Sequence, residues 1–296
     1  MKYTVYGIIF ESNYCFNYFH LCSDLLPTDI YVEVNIHPNA VIPPMQNWGE
    51  DWFEISQPDE VMYRYSNKKL YILAKKDSCI KSTISTIPFF MPVTQKGGVL
   101  FHAACVLSSS NRKVAIIAAP SGVGKSTIAA YLSTQYKDSF RIISDDAIAV
   151  YLQKETFYVY NGPAFSKIDA TTAELIEATV SEKNFDNSKF LISHDCDMSK
   201  IYSNIEELRF ELGAFFFIVA VPISERFQIR ELDYRSKAIF FNTSIVANRY
   251  NLADVNNILF DRAELIGNKI PSYILYYPQK LESLNIQLYK DIYEKI

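Results

Sequence analysis

The stretch Val114–Thr127, VAIIAAPSGVGKST, decides the fold. An apolar run, Val114–Ala118, leads into residues 119–124, which we call the glycine loop, and Lys125-Ser126-Thr127 opens a helical pattern that continues to about Gln135. A strand, a glycine-rich turn, Lys-Ser and a helix in this order are the layout of a phosphate-binding P-loop. The stretch therefore predicts a nucleotide as the ligand.

The residue types of the loop suit this chemistry. Gly122 and Gly124 allow the backbone to curl without Cβ clashes, so that several N–H groups can face one anion. The start of the following helix adds partial positive charge. Lys125 is expected to reach the β- and γ-phosphates and Ser126 to hold Mg²⁺, which makes ATP and Mg²⁺ the expected cofactors. The predicted nucleotide-binding residues are Ser121, Gly122, Val123, Gly124, Lys125, Ser126 and Thr127.

Composition bounds the class of protein. The 296 residues suffice for one large domain or two modest ones, and 49% hydrophobic with 21% charged residues is ordinary for a globular protein. A net charge of −4 argues against broad nucleic-acid binding. The five cysteines show no paired spacing, which fits a reducing compartment. Because no apolar run reaches the roughly 18 residues of a spanning helix, we expect a cytoplasmic protein without a membrane partner.

The chain is expected to fall into two parts. Residues 1–95 look β-rich and are expected to recognise the substrate or to complete a sheet. Residues 96–296 are expected to form the catalytic domain, so the predicted fold class is α/β, leaning toward α+β. In this second part, the nearly continuous apolar run Val99–Leu107 predicts one buried strand, and Arg141–Ser144 predicts a short strand that ends in two aspartates.

The pair Asp145-Asp146 is a candidate for phosphoryl-transfer chemistry. A carboxylate at the end of a strand beside a P-loop commonly meets the metal. Neighbouring residues on a strand point to opposite faces, so both carboxylates reach one site only if the backbone bends there. A solvated acidic turn or a helix cap is the alternative, but the preceding Ile142-Ile143 and the position downstream of Lys125 favour an active site.

His102 lies within the otherwise apolar run. A lone histidine in such a place is ordinarily a core residue with satisfied hydrogen bonds. A histidine next to a carboxylate can instead orient it and tune its pKa. We therefore expect His102 to lie near Asp145 if the two strands that carry them are neighbours in the sheet.

Together these residues resemble the HPr kinase/phosphorylase family. The motifs that carry the resemblance are Phe101-His102-Ala103-Ala104, Pro120–Thr127 and Ile143-Ser144-Asp145-Asp146. The sequence is still more similar to HPr-kinase-related proteins encoded beside peptide-modification genes, including the serine kinases that tailor lasso peptides. Those proteins also carry a proline-containing segment with a basic residue, similar to Gly162–Lys167. The resemblance covers most of the chain and is strongest from about residue 99 to 170.

This resemblance implies a P-loop core of the HPr kinase and PEP carboxykinase type, which is a mostly mixed β-sheet flanked by helices. It implies that Asp145 is the catalytic base on the acceptor hydroxyl, with His102 as its partner, and that Lys125 binds phosphates. It implies that Ser126 and Asp146 hold Mg²⁺, and it allows the roles of Asp145 and Asp146 to be exchanged.

Four further positions bear on this resemblance. Lys167 and Lys189 are weaker candidates for phosphate contacts, since an exposed lysine is the ordinary interpretation. Ala119 stands where P-loops usually have a glycine, and Thr127 stands where HPr kinases proper have an acidic residue.

The expected function is an ATP-dependent kinase. It would transfer the γ-phosphoryl group to a serine hydroxyl of a peptide or small protein, with a ribosomally made, lasso-type precursor peptide as the expected substrate. The alternatives are a nucleotide-binding regulatory module without transfer activity, a small-molecule kinase, or a carboxykinase-like enzyme. A homo-oligomer remains open.

Overall fold

The computed structural model describes residues 1–44, 46–49, 52–57, 60–176, 182–183, 190–194, 197–222, 227–246, 253–278 and 284–296. The α-helices are α1 Asp77–Thr83, α2 Phe90–Gln95, α3 Lys125–Gln135, α4 Ala170–Leu175, α5 Tyr234–Ser244, α6 Ala253–Lys269 and α7 Ile286–Lys295. Short 3₁₀ helices cover Ile87–Phe89 and Ile205–Leu208. None of the helices in the described part of the chain has the length and hydropathy that a membrane crossing requires.

The strands of the first half are β1 Lys2–Val5, β2 Ile8–Ser12, β3 His20–Cys22, β4 Ile30–Ile36, β5 Gln46–Trp48, β6 Trp52–Gln57, β7 Val61–Ser66, β8 Lys69–Ala74, β9 Val99–Phe101, β10 Ala103–Ser108, β11 Lys113–Ala118 and β12 Phe140–Ser144. Those of the second half are β13 Ile148–Gln153, β14 Thr156–Tyr160, β15 Phe165–Ile168, β16 Glu182–Lys183, β17 Phe190–Ser193, β18 Ile201–Tyr202, β19 Arg209–Ala220, β20 Gln228–Glu231 and β21 Ser272–Tyr277. Within the described residues they form two nine-stranded sheets and one three-stranded sheet. Both large sheets contain parallel and antiparallel pairs, which confirms a mixed α/β fold.

The first sheet has the strand order β18-β3-β1-β2-β4-β8-β7-β6-β5. The apolar start of the chain turns back on itself, because Tyr6 and Gly7 adopt positive φ values of 54° and 75° and join β1 to β2 as a hairpin. Strand β18, from the second half of the chain, adds to this sheet parallel to β3. The division into residues 1–95 and 96–296 stays a prediction.

The second sheet carries the glycine loop. Its main strand order is β12-β10-β11-β19-β14-β13-β9, and β21 extends it by pairing with β19. The prediction of one strand over Val99–Leu107 is wrong, because the chain breaks at His102 into β9 and β10. These two strands lie near opposite ends of the strand order, although a single residue separates them along the chain. The sheet must therefore curl until its two ends meet.

Two connections of the chain pass through the same corner of the second sheet, where its two ends meet. Strand β10 pairs antiparallel with β12, and β9 pairs antiparallel with β13. The connection from β9 to β10 passes through His102, and the connection from β12 to β13 passes through residues 145–147. This topology brings the histidine and the two aspartates side by side at the corner of the sheet.

The side chains of the second sheet point alternately to its two faces, and each face packs into a separate core. Cys105, Ile116 and Phe215 face a core shared with the first sheet, whereas Val106 and Phe216 face a core formed with α3 and α7. Successive side chains on a strand point to opposite faces, and here both faces are buried, which explains the continuous apolar runs in the sequence. Helix α3 packs on β10 and β12, so its first turn lies beside the corner.

Candidate active site

The glycine loop joins β11 to α3. Gly122 and Gly124 have φ values of 80° and 114°, in the region that side chains with a Cβ disfavour. A Cβ at Gly122 would meet nothing within 4 Å, so backbone conformation and not space explains the glycine there. Ala119 keeps a negative φ, and its alanine is therefore compatible with the turn. Helix α3 begins at Lys125, so its first N–H groups face the loop, as anion binding at a helix start requires.

The loop and the corner enclose one cavity of about 170 Å³. Every predicted site residue except Val123 lines it, together with Lys167, Ile168 and Asp169. The backbone bends at Asp146, whose φ is 72°, and this bend brings both carboxylates to the same cavity. The backbone bend that two adjacent aspartates need in order to share a site is therefore present. Lys189 lies outside the described residues.

Asp145 is joined to the first turn of α3. Its Oδ1 accepts a hydrogen bond from Ser126 Oγ at 2.9 Å, and its Oδ2 accepts one from the backbone N–H of Lys167 at 3.3 Å. The residue is only 2% exposed. Burial, and then the neighbouring charge of Asp146, raise the pKa of this carboxyl. A cation bound beside it would relieve both effects.

The oxygen atoms of Ser126 and Asp145 suit Mg²⁺. Magnesium prefers oxygen ligands and is commonly held by one or two carboxylates together with substrate phosphates. The described residues contain no group of three or more His, Cys, Asp and Glu side chains that could hold a metal by themselves. The one hydroxyl and one carboxylate at this place fit a metal whose other ligands include phosphate oxygens.

Asp146 is held by a different set of partners. Its Oδ2 accepts hydrogen bonds from Lys167 Nζ at 2.7 Å and from Ser85 Oγ at 2.9 Å. Burial alone would raise the pKa of this carboxyl, but the positive charge of Lys167, then that of His102, and the hydrogen bonds from Lys167 and Ser85 bring it well below its usual range. Asp146 is therefore ionised at neutral pH.

His102 contacts Asp146. Its Nδ1 lies 2.9 Å from the backbone oxygen of Asp146 and 3.6 Å from the carboxylate Oδ1. A carbonyl oxygen only accepts, so Nδ1 carries the proton in this contact. The expected partner was Asp145, and the contacts described for His102 are instead with its neighbour Asp146, because the left-handed turn at Asp146 presents that residue to the histidine.

Three residues of the site were missed or undervalued in the sequence. Lys167 is not an exposed lysine, since its side chain is 10% exposed and forms an ion pair with Asp146. Asp169 caps α4 by accepting from the Thr172 N–H at 2.7 Å, and an aspartate before a helical run is a signal that could have found it. Ser85 comes from the turn after α1, and no local pattern distinguishes it.

Ser85 connects the site to the first sheet. Its hydroxyl contacts both Asp146 and Lys167, and its carbonyl accepts a hydrogen bond from the hydroxyl of Tyr6 in the β1–β2 turn. The N-terminal part of the chain thus contributes directly to the environment of Asp146.

Comparison with known proteins finds a distant likeness among solved structures. No family model matches the sequence, and no curated protein matches it. Among solved structures, the chain is similar to the Hpr(Ser) kinase/phosphatase from Coxiella burnetii, with 11% identity and a TM-score of 0.33 over 65% of this chain and 94% of that chain. That protein belongs to the family that the motifs resemble.

Proposed function

We propose that the chain is an ATP-dependent kinase that phosphorylates a serine hydroxyl of a peptide or small protein. The observation that carries this proposal is the convergence of the glycine loop and two adjacent carboxylates on one cavity. A P-loop alone accounts for nucleotide binding. A second carboxylate at the same cavity adds the group that phosphoryl transfer needs to orient the acceptor.

The two sides of the cavity divide the work. The backbone N–H groups of the glycine loop and the ammonium group of Lys125 bind the phosphates. Ser126 and Asp145 would hold Mg²⁺, because they offer a hydroxyl and a carboxylate oxygen within hydrogen-bond distance of each other. Bound there, the metal would neutralise charge on the phosphate oxygens.

Asp146 is the better candidate for the base. Both carboxylate oxygens of Asp145 accept hydrogen bonds, from Ser126 and Lys167, whereas the contact given for Asp146 Oδ1 within the described residues is His102 Nδ1 at 3.6 Å, beyond hydrogen-bond distance. This oxygen has room to accept a hydrogen bond from the acceptor hydroxyl. The contacts therefore favour the exchanged assignment, with Asp145 on the metal side and Asp146 as the base.

In the proposed step, the acceptor oxygen forms a bond to the γ-phosphorus and the bond from that phosphorus to the bridging oxygen of ADP breaks. The hydroxyl proton passes to Asp146 Oδ1. Lys167, Ser85 and His102 keep Asp146 ionised and oriented before the step. Because such transition states are loose, orienting the hydroxyl matters more than the basicity of the carboxylate.

A lasso-type precursor peptide is the proposed substrate. The support is the sequence similarity of the three motifs and of Gly162–Lys167 to serine kinases that tailor such peptides. Lys167 lies both in this segment and in the site, which ties the segment to the chemistry.

Mass spectrometry tests the proposal. The protein is incubated with Mg²⁺, ATP and the short peptides encoded next to its gene, and one phosphoryl group should add about 80 Da to a serine-containing peptide. Asp146→Asn should lower the rate by about 10²–10⁴. Asp24→Asn, at an exposed turn, is the matched control and should leave the rate unchanged.

Nucleotide binding separates the alternatives. A kinase should retain ATP binding in Asp146→Asn while it loses transfer, whereas a regulatory module would transfer nothing in any variant. Phosphorylation of small hydroxyl compounds without any peptide product would instead identify a small-molecule kinase. Absence of a phosphorylated product from every neighbouring peptide would refute the proposed substrate.

A further inference from the structure

A second cavity, of about 500 Å³, lies where the two large sheets meet. The first sheet contributes His20 from β3, and the second sheet contributes Arg141 from β12. Arg112, from the β10–β11 turn, and Asn161, which follows β14, also line this cavity. We call this space the cationic cavity. Arg141 and Asp145 stand four residues apart along the chain, so the two cavities are separated by about 13 Å of strand.

Two guanidinium groups are held at the cationic cavity by one aromatic ring. Arg112 and Arg141 lie 5.6 and 5.5 Å from the centroid of the Phe210 ring. Within the described residues, neither guanidinium has a hydrogen bond or ion pair with a carboxylate. The two guanidinium groups beside this ring repel each other, and an anion between or beside them would offset that repulsion.

The acidic residues of the lining already have partners. Asp197 accepts hydrogen bonds from the N–H and the hydroxyl of Ser199, at 2.9 and 2.6 Å. Glu207 forms an ion pair with Lys200 at 2.9 Å. Ser199 is neutral and leaves the charge of Asp197 in place, so the lining offsets at most one of the two arginine charges and the cavity keeps an excess of positive charge.

Two buried side chains at this place each have one polar atom without a hydrogen-bond partner among the described residues. His20 is 2% exposed, and its Nε2 accepts a hydrogen bond from Asn161 Nδ2 at 3.3 Å. An Nε2 that accepts leaves the proton of the neutral ring on Nδ1, and Nδ1 has no partner among the described residues. The buried Oδ1 of Asn161 likewise has no partner there. Buried groups of this kind are normally satisfied, so a donor and an acceptor await a ligand.

We propose that the cationic cavity binds a small molecule that bears a phosphoryl group. Two arginines match the charge of a phosphate dianion, and their planar forks bind phosphate oxygens in pairs. A hydroxyl group on the same ligand would satisfy the acceptor Asn161 Oδ1, while an oxygen would satisfy His20 Nδ1. The volume lies in the range of small-molecule sites. This site is separate from the glycine loop and does not depend on the proposed kinase activity.

Nuclear magnetic resonance of the histidine rings tests the proposal on the whole protein. The sequence has four histidines, so the ring signals are few, and the His20→Gln variant assigns the signal of His20. Inorganic phosphate should shift this signal saturably, whereas sodium chloride at the same ionic strength should not. The shift should persist in Lys125→Ala, in which phosphate binding at the glycine loop is weakened.

Charge variants make the test specific. Arg112→Gln combined with Arg141→Gln should weaken phosphate binding at least tenfold. Arg230→Gln is the matched control, because Arg230 also lies over an aromatic ring, at 5.5 Å from the centroid of Tyr276, and should bind phosphate as the unchanged protein does. If the double variant does not fold, Arg141→Lys keeps the charge, removes the fork and should still weaken binding severalfold.

The source of the phosphoryl group is resolved by two further probes. Ribose 5-phosphate stands for a free phosphorylated compound, and a short phosphoserine peptide stands for a modified peptide. Tighter binding of either one than of inorganic phosphate identifies that source and supports the proposal. No saturable shift of the His20 signal with any of the three probes, or equal affinity in the arginine double variant, would overturn it.

Discussion

The ion pair between Lys167 and Asp146 offers a sharp test of the site geometry. Its N–O distance is 2.7 Å, and the side chains are 10% and 26% exposed. At an effective dielectric constant of 20, the attraction would be about 6 kcal/mol, and desolvation offsets much of it. We expect Lys167→Met to lower the free energy of unfolding by about 2–4 kcal/mol, because the Asp146 carboxylate then stays in a poorly solvated position without its main partner.

A double-mutant cycle isolates this interaction. Lys167→Met, Asp146→Asn and the combined variant are unfolded with urea at neutral pH without nucleotide, and the coupling energy should exceed about 1 kcal/mol. Lys113 and Glu211 form the matched control pair, with the same 2.7 Å distance but side chains 38% and 44% exposed. Their coupling should stay below about 1 kcal/mol. Additivity within about 0.5 kcal/mol at Lys167 and Asp146 would refute the described site.

Three other expectations follow from the geometry. Gly122→Ala and Gly97→Ala should each cost about 1 kcal/mol of stability, since both glycines have positive φ and open space at the Cβ position, but only Gly122→Ala should weaken binding of a fluorescent ATP analogue; equal loss in both would contradict the role of the loop. Burial, then the charge of Arg141, lower the pKa of His20 to about 4, so the unfolded chain binds its proton first and stability should fall below about pH 6.5, by about 2 kcal/mol at pH 5; urea unfolding of His20→Gln should show a shallower pH slope, and an identical slope would count against the buried neutral ring. Ser85→Ala should slow phosphoryl transfer in the peptide assay while ATP affinity is kept, and an unchanged rate would show that Asp146 needs no support from the first sheet.

The glycine loop and its surroundings were predictable because their signals are local. The positive φ values at Gly122 and Gly124 favour glycine, and the apolar run before the loop and the helical run after it have distinct periods. The strand before Asp145 was predictable for the same reason, since Phe140–Ser144 is short, apolar and followed by acidic residues.

The partners within the site depend on long-range pairing and were less accessible. His102 looked like part of one strand because the residues on both sides of the corner are apolar and buried. Nothing local indicates that β9 and β10 lie near opposite ends of one curled sheet. The choice of Asp146 over Asp145 as the partner of His102 follows from the bend at Asp146, which only the fold defines.

Lys167 and Ser85 illustrate the same limit. A lysine in a strand is usually exposed, and only the neighbouring carboxylate explains why this one lies within the protein. Ser85 stands far from Asp146 in sequence, in a turn with no distinctive pattern. Lys167 reaches the site from β15 of the three-stranded sheet, and Ser85 reaches it from the turn after α1, so both depend on the packing of distant elements.

A crystal structure with Mg²⁺ and a non-hydrolysable ATP analogue tests the central claim most directly. It should show the triphosphate wrapped by residues 121–127, the metal on Ser126 and Asp145, and the γ-phosphorus within about 5 Å of an Asp146 carboxylate oxygen, as in-line transfer to a hydroxyl between them requires. A triphosphate bound elsewhere, or an Asp146 carboxylate more than about 10 Å from the γ-phosphorus, would contradict it.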